Sequence, residues 1–570
     1  MRVDLFIKNV NIYNSYFKKF IQGNAAVLDG RFLYIGDRGE DSFEAGQVID
    51  GQGQYMIPGL VDIHLHIEST MVTPETFSYG LIRNGVTTIV PEPHEMANVF
   101  GLPGVTEMIR ASEHCVADMF YAIPSSVPAT SMETTGGAME IEDMDTLMQS
   151  ETIACLGEIM NYVDVINDPD CKTNRILNHI RSKYPKLIIE GHVPKLMDLD
   201  LQRIIYAGID SDHTHQSIEG MEARIAAGMF IEIQEKSMTE EVMQYLIERD
   251  VAEHFCFVTD DVMPDWFQRR GHLNHIVRKA IQMGMTPEKA IYAATFTPAR
   301  RMKLSDRGAV APGKIADFSL VSDLEQLTIG QVYKGGQKVF DAQEEYKPQG
   351  HRHPFPAHFY QSVKLPLLTE SDFVIGTDAK AGAYKGRVML VKNGSTFTEE
   401  YHGEVAVSEG EVRWEESEYG LIATFDRYGK TGGRAYGLIG GDTIQRGAIA
   451  TTYSHDNHNL LVVGHSRADM MLAANEVIRN QGGFCVVENG QVLASLHLPV
   501  GGILTEEPLE KTAAEVQQLR EAMEALGYNH YNPIMSISTH SLPVSPALKI
   551  TDYGLIDVNR GKVVPLLLEK

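Results

Sequence analysis

A chain of 570 residues is long enough for two or three domains, each burying its own core. Fifty Lys and Arg against seventy-six Asp and Glu leave a formal charge of −26, which argues against a phosphate-gripping surface for nucleic acid or an anionic membrane. Five scattered cysteines without a Cys-x-x-Cys pair exclude a disulfide framework; no apolar run reaches the ~20 residues of a membrane span, and Met1–Ile7 lacks a signal peptide's apolar stretch, so a cytoplasmic location is expected.

Residues 1–57 carry short apolar runs between turn residues, such as Leu5-Phe6-Ile7 and Ala25–Leu28 before Asp29-Gly30, and predict a small antiparallel β unit. From Leu60 the texture becomes strand, loop, helix, repeated. Strands are predicted at Leu60–His66, Val86–Pro91, Asp118–Ile123, Thr152–Glu158, Leu187–His192, Gly208–His213, Met229–Gln234 and His254–Asp260. Helices are predicted between them, among others at Pro74–Asn84, Asp198–Ala207 and Thr239–Arg249. That alternation predicts a (β/α)₈ TIM-like barrel over 58–304, since no glycine-rich phosphate loop follows the first strand as a doubly wound sheet would favour. Residues 305–345 return to β texture and are expected to complete the amino-terminal unit as a discontinuous β-sandwich domain. Residues 346–366, with Pro348, Pro354, Pro356 and Pro366, read as a linker, and 367–570 as an additional α+β domain.

In a parallel barrel every strand's carboxyl end opens on one face. His64 and His66, two apart on the first strand, point the same way. Glu158 closes the fourth strand, His192 the fifth, His213 the sixth, and Asp260 with Asp261 the eighth. Each alone reads more readily as a core histidine or a helix-start acid, but His64, His66, Glu158, His192, His213 and Asp260 together form a set of four imidazoles and two carboxylates. Such a set suits two divalent ions, Mn, Fe or Zn, with Glu158 bridging. Either of the adjacent acids Asp260 and Asp261 can then serve as the base for water, and the other, on the opposite face if the strand continues, can hydrogen-bond substrate.

The run Pro58–His66 resembles the amidohydrolase superfamily. The combination of His64-Leu65-His66-Ile67-Glu68-Ser69, Pro93-His94-Glu95-Met96-Ala97-Asn98-Val99, Gly157–Asn161, Gly191-His192 and His455-Asp456-Asn457-His458-Asn459 resembles the adenine deaminases over nearly the whole chain. The resemblance implies a binuclear metal hydrolase turning adenine and water into hypoxanthine and ammonia. It implies a small nitrogen heterocycle as partner and a homo-oligomer, with Asp260 linked to the metals. It also brings Glu68, His94, Glu95, His455, Asp456 and His458 forward as substrate or supporting residues, the last three on a loop expected over the barrel mouth.

Departures from the family pattern fall on the pocket. Thr214 stands where Glu usually follows the sixth-strand histidine. Gln234-Glu235-Lys236-Ser237 replaces Arg-Glu-Gly-Ser, and Val262-Met263 replaces Arg-His after the two acids. Thr214 and Gln234 are therefore candidate substrate contacts. Another nitrogen heterocycle or cyclic amide as substrate, or a silent metal- or ligand-binding homologue, remain alternatives.

Overall fold

The structure, a computed structural model, describes residues 1–346 and 353–568. Its centre is a ring of short parallel strands: Leu60–Leu65 (β1), Val86–Pro91 (β2), Asp118–Met119 continued as Tyr121–Ile123 (β3), Ile153–Ile159 (β4), Ile188–Gly191 (β5), Ser211–Asp212 (β6), Phe230–Ile233 (β7) and Phe255–Phe257 (β8). β3 is split because it changes partner midway: Phe120 N–H donates to Ile89 O on β2 (2.9 Å), and Tyr121 N–H to Thr152 O at the start of β4 (2.7 Å). The ring closes where Asp260 N–H donates to His64 O at 3.0 Å. Val61, Ile63, Val90, Ala122, Cys155, Ile188, Cys256 and Val258 come from six strands and pack on one another, which only the inside of a closed barrel allows.

The intervening helices start and stop where local chemistry directs. Pro74 opens Pro74–Arg83, and Gly85, at φ +73°, turns the chain into β2. Asp198–Ala207 ends on Gly208 at φ +109°. Thr239 accepts a hydrogen bond from Val242 N–H to cap Glu240–Glu248.

Below the barrel an eight-stranded sheet joins residues from both ends of it: Arg2–Asn14 pairs with Lys19–Leu28, and Phe318–Val321 pairs antiparallel with Tyr55–Pro58. Its strands are longer than the short apolar runs suggest. Polar residues extend Arg2–Asn14 to thirteen, because backbone pairing carries through them. The sheet is also mixed, since Arg2–Asn14 runs parallel to both Glu44–Asp50 and Tyr55–Pro58.

Of the segment expected as a linker, 347–352 lie outside the described residues. Beyond them Phe355 and Phe359 are buried, and Phe359 stacks on Phe100 of the barrel at 4.0 Å. The rest of the chain forms a nine-stranded sheet from Gly382 to His497, with the helices Arg467–Arg479, Leu509–Ala525 and Pro533–Ser538 and a three-stranded sheet from Leu548 to Val564. No helix among the described residues is long and apolar enough to cross a membrane.

Candidate active site

Strand ends gather one cluster of ligand-type side chains. Glu158, from β4, divides its carboxylate: Oε1 lies 3.6 Å from His66 Nε2, while Oε2 lies 2.9 Å from His192 Nδ1 and 3.3 Å from His213 Nε2. Asp260 Oδ1 sits 3.6 Å from His66 Nε2 and 3.8 Å from His64 Nε2. The His64 and His213 rings stack at 3.8 Å. Ligand atoms of His64, His66 and Glu158 lie within 4.8 Å of one another, and so do those of Glu158, His192 and His213. Two triads thus share one carboxylate.

The orientation of His66 bears on what belongs among them. Its Nδ1 is 3.1 Å from the carbonyl oxygen of Glu92, which can only accept, so Nδ1 carries a hydrogen and Nε2 is the nitrogen turned to the cluster. There it faces two carboxylate oxygens, an arrangement that either a proton on Nε2 or a cation between the three atoms satisfies. His64 Nε2 and His213 Nδ1 are buried without a hydrogen-bond partner among the described residues. Hard carboxylates with borderline imidazoles fit a divalent first-row metal.

The charges of the protein alone already pull against desolvation here. Burial disfavours a charge on Asp260, yet His66, Lys236 and His213 hold its carboxyl well below the usual range. Burial likewise opposes protonation of His213, but Glu158 and Asp260 outweigh it and raise the ring to about 9. Lys236 Nζ lies 3.8 Å from Asp260 Oδ2, on the exposed side of the site.

Asp261 departs from the strand logic. β8 ends at Phe257, and Asp260 takes a left-handed φ of +57°, so side chains no longer alternate and ligand atoms of both acids come within 4.8 Å of each other and of His66. Ser69 Oγ–H donates to Asp261 Oδ1.

Thr214 and Gln234 stand beside this cluster with their polar groups engaged elsewhere. Thr214 N–H and Oγ–H donate to Asp212 at 3.1 and 3.0 Å, and Gln234 Nε2–H donates to His213 O at 2.8 Å. Asp212 also accepts from Arg224 Nε–H at 2.7 Å and from Gln216 at 3.0 Å, which makes the end of β6 a rigid mount for His213.

The carboxyl-terminal domain reaches the site through Glu95. His455 Nδ1 contacts Glu95 Oε1 and His458 Nε2 contacts Glu95 Oε2, while His94 Nε2 lies 3.3 Å from Oε1. The His94 ring packs against His66 at 4.5 Å, so a chain of side chains runs from the loop to the metal-type cluster. Met96 N–H donates to Glu68 Oε1 at 3.3 Å, and burial pushes Glu68 up to about 7. Arg427 holds this loop, donating to His458 O from Nε, to Gly501 O (2.8 Å) and to Ser362 Oγ (2.7 Å).

Strand logic alone passed over Glu92, although it follows β2 directly. Its Oε2 accepts from Glu158 N–H at 2.7 Å, and burial together with Glu158 pushes its carboxyl up to about 8. Asp62 was equally unmarked: Thr259 Oγ–H donates to Asp62 Oδ2 at 2.6 Å, tying β1 to the end of β8 beside Asp260. The sign of Glu92 was its place in Pro91-Glu92-Pro93; that of Asp62 was its place in the first strand's apolar run.

Residues 55–339 match the model of the Amidohydrolase family, and residues 395–562 that of the Adenine deaminase C-terminal domain. Adenine deaminase 2 of Shouchella clausii (strain KSM-K16) is 62% identical over the full length of both chains. An adenine deaminase of Clostridium perfringens (strain ATCC 13124) is 48% identical over 99% of this chain and 100% of its own. Among solved structures, a beta-aspartyl dipeptidase from Fervidobacterium islandicum AW-1 superposes with a TM-score of 0.45 at 19% identity, over 59% of this chain and 96% of that one.

Proposed function

This chain belongs to the adenine deaminase family of amidohydrolases, and from that premise we propose that it hydrolyses adenine to hypoxanthine and ammonia at the strand-end cluster. Amidohydrolases use divalent metal, and the donor set here suits two ions of Mn, Fe or Zn. His64 and His66 would hold one ion, His192 and His213 the other, with Glu158 bridging and Asp260 beside the first. When bound, such a pair lowers the pKa of water towards 7 and so supplies hydroxide at neutral pH.

The protein's own groups do the rest. Asp260 takes a proton from the attacking water as the oxygen adds to C6, then passes it to the amine, which departs as ammonia. Thr214, Gln216 and Arg224 fix Asp212, and Gln234 fixes the His213 carbonyl, so the sixth-strand imidazole keeps its aim through the reaction. The departures at Thr214 and Gln234 therefore bear on the mount of His213. Loop 453–459, packed on Glu95, keeps bulk water off the barrel mouth.

The division of Glu158 between two imidazole sets supports this most directly. The test is ammonia release from adenine by protein stripped with chelator and reloaded. Activity should vanish in the stripped protein and return with about two equivalents of Mn or Fe; full activity without metal would overturn the assignment.

A further inference from the structure

Four buried polar atoms around Glu95 have no partner among the described residues: Glu68 Oε2, His94 Nδ1, His455 Nε2 and Asp456 Oδ2. Their residues are 0, 6, 5 and 2% exposed. A protein seldom leaves polar atoms buried and unpaired unless a ligand takes up the bonds. Two of the four belong to adjacent residues of the carboxyl-terminal domain, and their chemistry is complementary.

His455 commits Nδ1 to Glu95, and that nitrogen also lies 3.7 Å from Asp456 Oδ1. Burial works against charge on the ring, yet Glu95 and Asp456 hold it well above the ordinary histidine range, so Nε2 also carries a hydrogen. Two consecutive residues of the loop thus offer a donor, Nε2–H, and an acceptor, Oδ2, neither of them engaged among the described residues. The next residue, Asn457, donates from Nδ2–H to Glu133 Oε2 of the barrel at 3.2 Å and so pins the loop there.

A free purine base presents the matching pair. N3 accepts, the neighbouring N9–H donates, and this edge lies across the ring from C6. With C6 at the strand-end cluster, the N3/N9 edge points away from the barrel. We propose that His455 and Asp456 read the N3/N9–H edge of a free purine base, so that the carboxyl-terminal domain selects base over nucleoside. A substituent at N9 removes the donor and leaves the Asp456 carboxylate against carbon. The proposal rests on the adenine assignment above, which already makes the substrate a free base, and adds to it the residues that read the edge a nucleoside lacks.

Calorimetric binding of purine and 9-methylpurine, which lack the amine and cannot turn over, tests this in the metal-loaded full chain. Wild type should bind purine about 100-fold more tightly than 9-methylpurine. Asp456→Asn should weaken purine about 30-fold and leave 9-methylpurine unchanged, collapsing the preference, and His455→Gln should weaken both. A preference of the same size in Asp456→Asn, or none in wild type, overturns the proposal while adenine deamination stands. A wild-type protein that neither binds purine nor releases ammonia from adenine takes both down. The wild-type comparison needs no variant, so it holds even if a substitution impairs folding.

Discussion

Asp260 sits in a left-handed backbone at the rim of the barrel, its carboxyl held ionised by His66, Lys236 and His213 against the cost of burial. A base must be ionised to accept a proton, so this environment matches the role given to it. Asp260→Asn keeps the shape and one ligand-capable oxygen but loses the base. Turnover should fall by about 10³-fold while metal content, measured by emission spectroscopy, stays near two per chain. Glu158→Gln should do the opposite: an amide offers a single good donor oxygen and cannot bridge, so metal content should fall towards one per chain. Asp212 carries a pH prediction. Burial raises its pKa, but Arg224 and His213 outweigh that and depress it. Its contribution is therefore complete above the unfolded carboxylate value of about 3.9 and is lost as pH falls through the lower folded value. Asp212→Asn should flatten the acid limb of a stability-against-pH curve, and Asp212→Ala, leaving Arg224 buried and unpaired, should cost about 3–5 kcal/mol in urea unfolding.

At the scale of elements, the ends of β4 and β2 are packed too closely to tolerate a methyl group. A Cβ on Gly157 would stand 2.2 Å from the Glu92 carboxyl carbon, whose Oε2 also receives Glu158 N–H. Gly157→Ala must displace Glu92, rotate Glu158 and so lower both metal retention and turnover; a variant with wild-type metal content would show that Glu92 yields freely. The eight strands and most helices were legible beforehand because each strand is a short apolar run ended by a polar residue, and each helix has its cap or glycine stop. Two features were not. β3 breaks at Phe120 because its partners change there, and β8 stops at Phe257 because the chain turns left-handed at Asp260. Both depend on neighbours distant in sequence, and the second is why Asp261 shares the face of Asp260.

Across the whole molecule, the barrel and the carboxyl-terminal domain are tied by buried charge as well as by Glu95. Arg520, on Leu509–Ala525, donates to both oxygens of Asp265 beside β8, at 3.2 and 3.3 Å, and to Asn532 at 3.1 Å. Arg520→Met should lower the unfolding free energy by about 3–5 kcal/mol and separate a single unfolding transition into two, read by urea titration with two probes. If the transition remains single, the apolar contacts alone suffice to couple the domains. The sequence by itself determined the barrel and the six strand-end residues, because strand periodicity and the common direction of parallel strands convert chain position into spatial position. Only the tertiary structure decided what Thr214, Gln234, Glu92 and loop 453–459 contact. Those contacts depend on which partner takes up each hydrogen bond, and the partners lie up to 363 residues away, as between Glu95 and His458. No local pattern encodes such a pairing, since burial makes the pair necessary and packing chooses the partner.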